Sequence, residues 1–186
     1  MKQLLTLLLF SSLVFFGCNQ ESEITSPVDT GPILNKKLIE LLPSSGLTVE
    51  TQTFDQNING AVWTEFQRSY EYLTSSGGTI NQIGDLDFFP GAFSGTKNIT
   101  MTFNTGGAAM DFGPAMQFQA VVEYTYRITG LDLTGVNPNT LDFVYIDANG
   151  DMYPVDYSYV TMNENTGMLM VKDAILPHFS RYGFVN

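Results

Sequence analysis

From Gly46 onward, apolar and polar residues alternate in short runs separated by Gly, Asn and Pro clusters. The longest run is MQFQAVVEYTYRIT, Met116 to Thr129. It places Met116, Phe118, Ala120, Val122, Tyr124, Tyr126 and Ile128 on one parity, with polar residues on the other except at Val121. A period of two matches the pleat of a strand, whose side chains point alternately to opposite faces. The run predicts one long strand with a buried face, bulged or bent somewhere along its length. Ile99, Met101 and Phe103 alternate with Thr100 and Thr102 in another strand, and Leu141, Phe143 and Tyr145 mark a third. The third ends at DANGD, where Asn149-Gly150 predicts a type I′ hairpin turn, which needs positive φ at both central residues. NENTG, Asn163–Gly167, predicts a second hairpin leading into MLMV. Residues 46–76 add one or two strands, with AVWTEFQRSY as the candidate, whereas LNKKLIELL (34–42), between Pro32 and Pro43, predicts a short helix. With no long amphipathic helix between the strands, the expected class is all-β, an antiparallel β-sandwich.

The first residues read differently. MKQLLTLLLFSSLVFFGC has Lys2, an apolar run from Leu4 to Phe16, and Gly17 before Cys18. The run is shorter than the about 20 apolar residues of a membrane span and fits the h-region of a secretory signal. A Cys directly after a small residue at such a boundary resembles a bacterial lipoprotein signal, although Phe15 stands where Leu is usual. The resemblance implies that Cys18 becomes the lipidated first residue of the mature chain. The polar stretch NQESEITSPVDTGP that follows reads as a tether, and its early acids resemble the surface-export signals of some Bacteroidota lipoproteins. The expected organisation is a signal peptide over 1–17, a tether with the short helix over 18–45, and a sandwich over 46–186. The expected location is the bacterial outer membrane, held by the lipid on Cys18.

Charge narrows the partners. The formal net charge is −11, with only eight Lys and Arg spread along the chain. Nucleic-acid binding requires a basic footprint, and adhesion to anionic lipid requires a polybasic one; neither exists here. Cys18 is the sole cysteine, so no intramolecular disulfide forms and core burial must carry stability. Hydrophobic residues at 44% are sufficient for such a core. Trp63 and the eight Met read as packing residues. No cofactor is expected.

Candidate chemistry is sparse. Asp147, Asn149 and Asp151 have the one-three-five oxygen spacing of a calcium loop, but Met152 replaces the required Gly and Ser158 the required Glu, which favours a plain hairpin. Tyr145, Tyr153, Tyr157 and Tyr159, in adjacent strands, suit either a β-core or the stacking platform of a carbohydrate-binding module. The only histidine lies in LPHFSRYGF, Leu176–Phe184.

Three stretches in order, GGTINQIGDLDFFPGAFSGTKNITMTF (Gly77–Phe103), FGPAMQF (Phe112–Phe118) and LPHFSRYGF, resemble the ZU-five domain family of ankyrins, netrin receptors and the PIDD death-domain protein. The resemblance implies a β-sandwich used as a protein-interaction module. It also implies a reaction, because in one relative the His-Phe-Ser triplet is a self-cleavage site. There Ser180 Oγ would attack the Phe179 carbonyl, with His178 taking the hydroxyl proton, and water would then hydrolyse the ester. With no acid placed to orient His178, no oxyanion element and no second histidine, turnover of an external substrate is not expected. The expected function is therefore a lipid-anchored interaction module for an unknown protein or glycan, with self-cleavage at Phe179-Ser180 as the alternative. In the strand reading of this segment, His178 and Ser180 share a face with Tyr182 and Phe184.

Overall fold

The structure is a computed structural model and describes residues 31–33, 35–46 and 51–186. The signal segment and Cys18 lie outside the described residues. Eleven strands follow in order: β1 (Thr51–Asn59), β2 (Thr64–Leu73), β3 (Thr79–Phe88), β4 (Thr96–Asn104), β5 (Ala109–Gly113), β6 (Val122–Thr129), β7 (Asp142–Ile146), β8 (Met152–Pro154), β9 (Tyr159–Asn163), β10 (Met168–Ile175) and β11 (Arg181–Val185). They form a six-stranded sheet ordered β1-β4-β5-β11-β7-β8 and a five-stranded sheet ordered β2-β3-β6-β10-β9. The expected antiparallel β-sandwich is what the chain adopts.

Alternation builds the interior. Phe66 and Tyr72 of β2, Ile80, Leu86 and Phe88 of β3, and Val122, Tyr124, Tyr126 and Ile128 of β6 face inward and are buried. Ile99, Met101 and Phe103 of β4 meet them from the other sheet. Gln82 is fully buried and its polar atoms are matched: Nε2 donates to the Asn104 carbonyl at 2.8 Å, and Oε1 accepts from the Tyr126 hydroxyl. This ties β3 to β4 across the sandwich, as an interior amide must be satisfied to be tolerated.

Four expectations need correction. The long strand begins only at Val122. Residues 116–119 leave the sheet to hydrogen-bond elsewhere: Phe179 N–H donates to the Met116 carbonyl, Phe118 N–H to Pro177, and Gln119 N–H to Ala92. Met116 and Phe118 still pack against the core, which is why the parity runs on without a break.

LNKKLIELL is not helical over its described residues. Leu38 bridges Val185 and Glu40 bridges Gly107, both antiparallel. Ile39 N–H donates to the Phe184 carbonyl at 2.9 Å, and Ala108 N–H to the Ile39 carbonyl at 2.8 Å. The segment is a strap wedged between the ends of β5 and β11, burying Ile39 and Leu41. So short a helix is marginal by itself, and sheet pairing decides the outcome. Residues 37–41, expected in the tether, thus pack with the sandwich. Leu38 also covers the outside of β7 and β11, where Val144, Ile146 and Val185 form a second small core with Ile33 and Met152. A Cβ on Gly107 would come within 2.5 Å of Leu38 Cδ2, so this glycine makes room for the strap.

The β7–β8 hairpin forms, but not through a type I′ turn. Only Gly150 has positive φ (87°), and its N–H donates to the Asp147 carbonyl at 3.1 Å, a turn followed by a glycine bulge. The β9–β10 hairpin carries a 3-10 turn over Glu164–Thr166 and a left-handed Gly167.

The last correction concerns His-Phe-Ser. β11 begins at Arg181, so residues 178–180 form a bend ahead of the strand, in which His178 makes a single bridge to Gln117.

Candidate functional site

Because the bend resets the parity, Phe179 enters the core at 3% exposure while His178 and Ser180 stay half-buried. The Phe179 ring packs edge-on against Phe88 (6.1 Å between centroids) and Phe118 (4.8 Å), and stacks on Phe112 (5.4 Å). His178 lies edge-on to Tyr145 at 4.6 Å, and its carbonyl accepts from the Tyr182 hydroxyl at 2.7 Å. The Ser180 carbonyl accepts from Phe112 N–H at 2.9 Å. These groups and the 115–117 segment border an open pocket of about 440 Å³.

Desolvation pushes the His178 imidazole below its ordinary pKa, opposed by a backbone hydrogen bond at Phe179. A neutral imidazole, a hydroxyl and a carbonyl therefore lie within three consecutive residues. Among the described residues no hydrogen bond joins His178 to Ser180. The Phe179–Ser180 peptide is trans and neither residue has positive φ.

The other candidates are dispersed. Asp147 Oδ1 accepts from the N–H groups of Asn149 (2.8 Å) and Asp151 (2.9 Å), so it braces the hairpin. Among the described residues no group of three acidic, His or Cys side chains is placed to hold a metal. Tyr145 and Tyr153 stack on one another at 5.6 Å and are half-buried. The Tyr157 hydroxyl donates to Asp142 at 2.7 Å, and Tyr159, 47% exposed, belongs to the opposite sheet. The four rings do not form one platform.

A feature missed in the sequence lies on the outer face of the five-stranded sheet. Thr64, Phe88 and Val122 are in register across β2, β3 and β6. One residue beyond each, Trp63, Phe89 and Val121 fall on the outward parity, at 55%, 36% and 39% exposure. Phe89 N–H donates to the Val121 carbonyl at 3.3 Å, which extends the pairing by one step. Trp63 is therefore a surface residue, contrary to its reading as packing. The alternation Phe66, Tyr70, Tyr72 already assigned odd positions of β2 to the outside and was the available signal.

The next outward row is acidic: Glu65 pairs with Asp87, and Asp87 with Glu123. Desolvation first, and then neighbouring carboxylates, raise the pKa of Asp85, Asp87 and Glu123. Asp85 Oδ1 is shielded from solvent and has no hydrogen-bond partner. Lys172, which counteracts these shifts in part, pairs with Asp173 at 2.6 Å.

No family model matches the chain, and no curated protein or solved structure matches it either.

Proposed function

We propose that this chain is a lipid-anchored protein of the bacterial outer membrane whose β-sandwich is a protein-interaction module, with no turnover of an external substrate. The row Trp63, Phe89 and Val121 carries the reading. Its side chains are placed outward by the strand register, lie outside the buried core, and sit on a face that no other element covers among the described residues. Aromatic surface of this kind marks contact sites, where a Trp supplies much of the binding energy. The Gly17-Cys18 junction supports the anchor, and the ZU-five resemblance supports the interaction role.

A photo-crosslinking residue placed at Phe89, on cells displaying the full chain, tests this. Adducts are expected at Phe89 and absent at Asn149, an exposed turn position on the other sheet. Equal yields at both positions would sink the reading.

Self-cleavage at Phe179-Ser180 is the second reading. It is favoured by the bend, which sets His178, Phe179 and Ser180 together on the border of an open pocket. It requires a native chain that is cut while Ser180→Ala stays whole.

A further inference from the structure

Two rows on one face have different chemistry and a fixed spacing. Along each strand, the row of Trp63, Phe89 and Val121 lies two residues from the row of Glu65, Asp87 and Glu123. Two residues of strand span about 6.6 Å, the same-side repeat of any extended chain. Across the strands, the rows repeat at about 4.8 Å. The acids therefore face one another directly, an arrangement that destabilises a sheet. Among the described residues only Lys172 offsets it, and only in part, because it is paired with Asp173; Arg127 pairs with Ile83 and Met170, two rows further from Glu123 along β6. The face thus combines an apolar anchor strip with a carboxylate strip that is only partly neutralised.

We infer that this face docks an extended cationic polypeptide segment, with apolar side chains against Trp63, Phe89 and Val121 and Lys or Arg two residues along, over Glu65, Asp87 and Glu123. The inference rests on the interaction reading and names the class of partner. Charge complementarity selects the occupant, and the matching two-residue repeat selects an extended chain. An anionic membrane surface or a nucleic acid would be repelled by the same carboxylates.

Trp63 is the only tryptophan and reports directly on the apolar strip. The full chain in neutral detergent is titrated with a short extended peptide carrying Leu and Lys at alternate second positions, and with its Gln-for-Lys analogue, following Trp63 emission. The Lys peptide is expected to bind about two- to fivefold tighter at low salt, because a chain lying along the strands holds one Lys over the acidic row, worth one modest ion pair. That advantage is expected to vanish near 1 M salt, where the Debye length falls to about 3 Å. It is also expected to vanish in the variant E65Q/D87N/E123Q, and to persist in D55N/D151N/E164Q, which removes the same charge elsewhere. Equal binding of both peptides, or equal loss in both variants, overturns the charge selectivity. If neither peptide alters Trp63 emission, the inference falls, and crosslinking from Phe89 decides separately whether the face has any partner.

Discussion

Replacing Phe179 by Ala separates packing from chemistry in the His-Phe-Ser triplet. The ring is 3% exposed and touches three other Phe rings, two of them edge-on and one stacked. Loss of its transfer from water is worth about 2–3 kcal/mol. The three ring contacts add about 1–2 kcal/mol, taking the lower part of the range for aromatic pairs. The sum of about 4 kcal/mol lies inside the span of about 3–5 kcal/mol seen for buried Phe→Ala changes. Phe112 and Phe118, which surround the gap, are held by backbone bonds to Ser180 and Pro177, so the site collapses poorly. By contrast, Ser180→Ala removes a half-buried hydroxyl and changes stability by less than about 1 kcal/mol. Equilibrium urea unfolding, followed by circular dichroism with the m-value checked for constancy, measures both. A Phe179→Ala loss below about 1.5 kcal/mol, or one no larger than that of Ser180→Ala, would refute the packing argument.

Three further outcomes follow from the geometry. Asp87→Asn removes the middle charge of the acidic row and should stabilise by about 0.2–1 kcal/mol, read as a raised urea midpoint. The native carboxyls of Asp85, Asp87 and Glu123 hold their protons more tightly than unfolded ones, whose ordinary values are 3.8, 3.8 and 4.5. Their contribution is therefore fully present below those values and is lost as pH rises through the higher native ones. Thermal melts should show a smaller gain on acidification from neutral pH for D85N/D87N/E123Q than for the native chain. Gln82→Leu strands the buried Tyr126 hydroxyl and should lower stability by about 1–3 kcal/mol, most of which Tyr126→Phe restores in the double variant. Gly107→Ala pushes a methyl group into Leu38 and should destabilise by about 1–3 kcal/mol, an increment that disappears when Leu38 is already Ala.

The fold class was legible because burial in a sandwich imposes a period of two, and Ile99–Phe103 and Val122–Ile128 obey it. Boundaries were less legible where a non-strand segment keeps the same parity. Met116 and Phe118 pack inward like strand residues although their backbone bonds go to the 177–179 bend. The strap over Lys37–Leu41 was hidden for a different reason. Its extended form is decided by partners more than a hundred residues away, at Phe184 and Asn186, which no local pattern encodes. Extending β11 backward through the bend puts Phe179 off the core face, because each residue of slip flips a side chain to the other face. Trp63 was recoverable from the parity of β2. Treating Trp as a core residue by type overrode that signal.

Under the interaction reading, this protein works by presenting a surface, and His-Phe-Ser is part of its packing. The intact mass of the full chain under denaturing conditions tests this most directly. A single polypeptide that retains Ser180–Asn186 is the expected result. A main species ending at Phe179, accompanied by the released segment Ser180–Asn186, would contradict it.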